Sequence, residues 1–167
     1  MKNRASPSFL IVVVVVAVVS FLGGSFYQSQ KSQTESSKQS EINQKLIVTR
    51  VVDGDTIQLQ NGKEIRLYGM STPEQKEPFY QEANQFTERM VLNKEITLEQ
   101  EEKYKQDKFG RLLGYVFVDG VNLNIELVRN GLAKVVLYEK RAKIKYQDEL
   151  LTAEKESKEK RVGIWKK

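Results

Sequence analysis

Apolar and polar positions divide the chain into three stretches of different character. Phe9 to Leu22 reads FLIVVVVVAVVSFL, apolar except for Ser20, with Lys2 and Arg4 before it and Gly23-Gly24-Ser25 after it. A basic start, a short apolar run and small residues predict a secretory signal cleaved after Ser25, or an uncleaved anchor that extends through Tyr27. Residues 28–45, QSQKSQTESSKQSEINQK, contain one apolar side chain, Ile42. A stretch that buries so little cannot offset the entropy of ordering, so 28–45 is expected to be a disordered polar linker. Residues 46–167 carry the folded domain.

Within that domain the periodicity alternates between two and about 3.6. Leu46 to Val52 and Thr56 to Gln60 read as strands, and Asn61-Gly62 turns the chain into a third extended segment, Lys63 to Met70. Prolines at 73 and 78 interrupt the pattern. Phe79, Ala83, Phe86 and Met90 then recur at steps of four, three and four, which marks one face of a helix. Glu95 to Gln100 and Leu112 to Val118 are further strands, and Asp119-Gly120 turns out of the second. Val121, Ile125 and Val128 predict a second helix, stopped by Asn130-Gly131. After a short extended piece, Ala133 to Tyr138, a third helix follows through Tyr146, Leu150 and Ala153. Three strands, a helix, two strands and two helices predict an α+β fold. Its core would be a five-stranded Greek-key barrel of the OB type, with about three helices packed against it.

Composition narrows the chemistry. The 167 residues include no Cys and no His, so disulfides, thiolate sites and histidine catalysis are excluded. Acid–base work falls to carboxylates, Lys or Tyr, and any metal is a hard, oxygen-binding cation. A net charge of +5 suits an anionic polymer.

Four short segments carry the candidate chemistry: Asp53-Gly54-Asp55-Thr56, Arg66, Ser71-Thr72-Pro73-Glu74, and Asp107-Lys108-Phe109-Gly110-Arg111. Singly, each has a plain structural reading as a tight turn, a solvent-facing strand residue, a connector or a solvated loop. An EF-hand is excluded, because Ile57 and Gln58 occupy positions where that loop needs a ligand and a glycine. Together they supply carboxylates and two arginines, the elements needed to hold a divalent metal and a phosphodiester at once.

In this order and context, VVDGDT, IRLYG, STPE, DKFGR, VNLNIELVRNGLAKV and the terminal GIW resemble the staphylococcal (micrococcal) nuclease, or thermonuclease, family across essentially the whole folded part. The resemblance implies a monomeric Ca²⁺-dependent nuclease that cuts DNA and RNA and leaves 3′-phosphorylated products. By motif, Asp55 matches a direct calcium ligand, and Thr72 matches the residue whose main-chain carbonyl binds the metal. Glu74 matches the proposed general base, Arg66 and Arg111 the arginines on the scissile phosphate. Lys108 and Phe109 match substrate-contacting positions. The family's usual Asp-Thr-Pro-Glu loop reads Ser71-Thr72-Pro73-Glu74 here, so a ligand carboxylate is replaced by a hydroxyl. Ser71 and Asp53 are therefore secondary metal-ligand candidates, and attenuated turnover is expected. Two other readings stay open: a catalytically degenerate nucleic-acid-binding barrel, and a non-nucleic-acid interaction module. The N-terminal segment implies a protein secreted or anchored on the outer face of the membrane.

Overall fold

The computed structural model describes residues 46–137 and 142–166. The expected signal or anchor, the 28–45 linker and Tyr138 lie outside them. Among the described residues no helix is long and apolar enough to cross a membrane.

Strands β1 (Leu46–Asp53), β2 (Thr56–Leu59) and β3 (Glu64–Leu67) form an antiparallel meander. Helix α1 (Tyr80–Val91) follows, then β5 (Glu95–Glu99) and β6 (Leu112–Val118). Strand β5 pairs with both β1 and β6, and β6 returns alongside β3 in parallel, with Ile65, Arg66 and Leu67 opposite Leu112, Leu113 and Gly114. That last pairing closes a five-stranded mixed barrel, so the expected OB-type α+β architecture is present. Helices α2 (Leu123–Arg129) and α3 (Gln147–Lys160) pack against one another, and a 3₁₀ turn over Gly163–Trp165 ends the described chain.

Three local details differ from the sequence expectation. The third extended segment is not continuous: it breaks after Leu67, and Met70–Ser71 forms a separate strand, β4, paired with β8 (Lys134–Val135). Val121 is not helical. It lies with Asn122 in a two-residue strand, β7, beyond the Asp119-Gly120 turn, and the Asn122 side chain accepts from the Ile125 N–H to start α2. Tyr146 precedes α3 rather than belonging to it.

The core explains the strand phases. Ile57, Ile65, Leu67 and Val116 are buried inside the barrel, while Arg66, between two buried residues, points the other way. One buried polar side chain joins the parts that cross the barrel. Asn124, fully buried in α2, donates to the carbonyls of Tyr68 (3.0 Å) and Gly114 (3.2 Å) and accepts from the Val116 N–H (3.1 Å). It satisfies main-chain groups just after β3 and along β6 where the two strands meet. Asn124→Leu should destabilise the domain by about 3 kcal/mol in urea denaturation, because three buried main-chain groups would lose a partner. A loss below about 1 kcal/mol would show that those groups find other partners.

Candidate active site

The site begins at the β1–β2 turn. Asp53 ends β1, Gly54 and Asp55 make the turn, and Thr56 opens β2. A Cβ at Gly54 would come within 2.9 Å of Thr72 and of Ala83, so the turn is pressed between the Ser71-Thr72 segment and α1. Thr87 of α1 donates to the Gly54 carbonyl at 2.7 Å and fixes the turn from beneath. The Asp55 N–H donates to Asp53 Oδ1 at 3.1 Å, which brings the two carboxylates together.

Asp55 is buried, and its Oδ2 is the hub of the site. The Thr72 N–H donates to it at 2.9 Å, and the Ser71 hydroxyl lies at 3.5 Å. Arg66 Nη1 makes an ion pair with the same oxygen at 2.7 Å. The guanidinium also donates to the carbonyls of Leu67 and Met70 and, through Nη2, to Ser71 Oγ at 3.2 Å. One compact cluster therefore contains Asp55, Arg66, Ser71 and Thr72, residues separated in sequence by up to 17 positions. Desolvation, joined by the neighbouring Asp53, pushes the Asp55 carboxyl up to about 6 against the pull of Arg66 and of the Thr72 N–H.

The fourth segment forms a loop built on Asp107. Asp107 Oδ1 accepts from the N–H groups of Phe109 (2.8 Å) and Arg111 (3.0 Å), and Oδ2 pairs with Arg111 Nε at 2.7 Å. Partial burial opposes ionisation of Asp107, but the bonds from Arg111 and the two backbone N–H groups outweigh it and hold the carboxyl below its usual range. Arg111 and Lys108 both lie over the Phe109 ring, at 5.5 and 5.0 Å from its centroid, and that ring is 72% exposed. A cavity of about 510 Å³ joins this loop to the first cluster: Arg66, Ser71, Lys108, Phe109 and Arg111 all line it.

Glu74 stands apart. It is exposed, its N–H donates to Glu77 Oε2 at 2.8 Å, and it lines a neighbouring cavity together with Ser71 and Thr72. Sequence reasoning did not identify Asp107 as the clasp of its loop, nor Tyr104 as a wall of the first cavity. The Asp-x-Phe-x-Arg spacing was a readable signal for the clasp, since an Asp two residues before an N–H is a common loop closure.

The oxygen groups gathered here are the Asp55 carboxylate and the Ser71 hydroxyl, with Asp53 adjacent, while Thr72 presents its N–H to Asp55. Among the described residues no group of three or more His, Cys, Asp or Glu side chains gathers in one place. The arrangement fits a hard cation held by few charges.

The family model described as staphylococcal nuclease homologue matches residues 64–167. The chain belongs to the staphylococcal nuclease family. The matched span includes Arg66, Glu74 and Arg111 and begins after the Asp53–Thr56 turn, which longer alignments take in. The chain is 32% identical to a thermonuclease of Staphylococcus hyicus over 98% of both proteins. It is 31% identical to a thermonuclease of Staphylococcus intermedius over 99% of both. It is also 34% identical to endonuclease YncB of Bacillus subtilis, over 83% of this chain and 69% of that one.

Burial of Asp55 has a consequence for folding. Its carboxyl binds a proton more tightly folded (about 6) than at its ordinary value of 3.8. The native state thus holds more protons between those values, and this contribution to stability is lost as pH rises through about 6. In chelator, the stability difference between wild type and Asp55→Asn measured by urea denaturation should shift against the wild type from pH 4 to pH 7. A pH-independent difference would rule this out.

Proposed function

We propose that the chain is an exported, monomeric nuclease that hydrolyses the phosphodiester bonds of DNA and RNA with Ca²⁺ and leaves 3′-phosphorylated products. The observation that carries this reading is the convergence of Asp55, Arg66, Ser71 and Thr72 at the edge of a cavity whose other cationic groups are Lys108 and Arg111. The nuclease names of the relatives support the same reaction class.

A phosphodiester resists attack because its anionic oxygens repel a nucleophile. Arg66 and Arg111 answer that charge, and the planar guanidinium suits two phosphate oxygens together. Asp55, Ser71 and the Thr72 carbonyl would hold the calcium ion, with Asp53 close by. When bound, calcium supplies charge neutralisation and a more acidic water. Glu74 lies across Ser71 from the arginines. From there it takes a proton from the attacking water as the bond to the 5′ oxygen breaks and that oxygen gains a proton. Phe109, exposed and flanked by two cations, offers a face to the adjoining nucleoside. The basic, apolar N-terminal segment over 1–27 supports export, with 28–45 as the tether or leftover linker.

Ser71 favours a second reading, a barrel that binds nucleic acid without cutting it. A carboxylate in place of that hydroxyl would add about 4 kcal/mol of attraction at 4 Å and an effective dielectric of 20, most of it offset by desolvation. Extracellular sites still function at about 10⁻⁴–10⁻³ M calcium.

The full chain should degrade denatured DNA in millimolar calcium and stop on addition of chelator. Binding without cleavage at any calcium concentration would establish the second reading. Ser71→Asp should lower the calcium needed for half-maximal rate about tenfold, and an unchanged requirement would show that residue 71 lies outside the ion's reach. Arg66→Ala and Arg111→Ala should each slow cleavage by about 10²–10³-fold with the circular dichroism of the wild type. Mild effects at both would remove them from the phosphate.

A further inference from the structure

The cavity that Glu74 borders encloses about 530 Å³. Ser71 and Val136 line both cavities, and Ser71 pairs with Lys134 in the short β4–β8 ladder, which therefore stands as a ridge between them. Phe79, Val136, Ile164 and Trp165, all half-buried, form the apolar and aromatic part of the second cavity's lining. Two exposed lysines, Lys134 and Lys166, border it, as do the acids Glu74 and Glu77.

Both aromatic walls are held in place by unusual backbone. Phe79 sits in the left-handed region at φ 69, a costly conformation for an aromatic residue, while its carbonyl accepts from the Ala83 N–H at 3.0 Å as α1 begins. Trp165 belongs to a 3₁₀ turn laid directly on the end of α2. The Ile164 N–H donates to the Gly131 carbonyl at 2.9 Å, and a Cβ on Gly163 would meet that oxygen at 2.0 Å. Lys158 caps the Trp165 ring at 4.5 Å.

We propose that this cavity receives a nucleobase of single-stranded substrate, on the opposite side of the scissile phosphate from the nucleoside that meets Phe109. The proposal rests on the nuclease reading of the first site. An aromatic and apolar interior suits the π-face of any base, and its volume lies within the range of ordinary ligand pockets. Glu74 and Glu77 repel phosphate, so the base enters and the backbone stays at the edge, where Lys134 and Lys166 meet the flanking phosphates. The ridge holds the two neighbouring bases apart. A stacked duplex cannot straddle it, so the strand must be unpaired and splayed. The cavity thus acts as a selector for single strands as well as a second grip.

Trp165 is the chain's only tryptophan and reports directly on this cavity. The full chain with calcium is mixed rapidly with single-stranded tetranucleotides cleavable at one linkage, either intact or abasic on one side of that linkage. Intact substrate should quench Trp165 emission before turnover. Removal of one flanking base should abolish the quench and lower kcat/KM about tenfold, while removal of the other leaves the quench in place. The Lys134→Ala/Lys166→Ala double variant should lower kcat/KM more for the intact tetranucleotide than for the one that fails to quench. Cleavage with unaltered Trp165 emission on every substrate would overturn the second base site and leave the nuclease reading intact. Absence of both cleavage and binding would overturn the two together.

Discussion

The parallel contact between β3 and β6 is the constraint on which the rest depends. Strand β3 belongs to the first meander and β6 to the second half of the barrel, and only their pairing turns two curved sheets into a closed surface. Parallel neighbours cannot be joined by a tight turn, so the closure rests on side chains and on distant main-chain groups. Asn124 provides them, bonding to Tyr68, Gly114 and Val116 from within a helix that the barrel itself helps to bury. The same closure places Arg66 opposite Leu113, immediately after the loop that ends in Arg111. The two arginines share a cavity because the barrel is shut, not because their loops seek one another.

Arg66 already has a structural task. Its guanidinium neutralises a buried carboxylate, and its orientation is fixed by two carbonyls and a hydroxyl. In the proposed reaction, an arginine so restrained would meet a phosphate with little remaining freedom to lose, which favours charge stabilisation. The raised pKa of Asp55 shows that the arginine alone does not fully compensate for burial, so the carboxylate retains an appetite for additional positive charge.

Much of this was legible in the chain, for physical reasons that differ by element. Strand β6 and the β2–β3 hairpin follow from period-two alternation and an Asn-Gly turn, both local properties. Helix α1 is visible in the spacing of Phe79, Ala83, Phe86 and Met90, although Phe79 itself proves to be the left-handed residue before the first turn. The β4–β8 ladder was not legible. Each strand is two residues long, and its stability derives from partners more than sixty positions apart. Val121 was misplaced because an apolar residue at helical spacing from Ile125 is equally at home in a strand that ends just before the helix. At the site, the motifs named the side chains, but not how the fold groups them. The separation of Arg66 and Arg111 from Glu74, with Ser71 between them, is a property of the assembled surface, and no spacing in the sequence encodes it.

The hydroxyl at position 71 sets the charge balance of the Asp55 cluster. With a carboxylate there, two like charges would face each other near Asp55, and at close range in a poorly solvated pocket that repulsion opposes folding unless a cation is bound. Ser71 instead accepts from Arg66 and donates towards Asp55, so each polar group in the cluster has a partner without any ion. Arg66 offsets part of the cost of burying Asp55. A hydroxyl here therefore lets the β1–β2 turn and the Ser71-Thr72 segment close on one another without a second buried negative charge. Because Ser71 also stands in the β4–β8 ladder, the residue that balances the charge of the cluster also shapes the boundary between the two cavities.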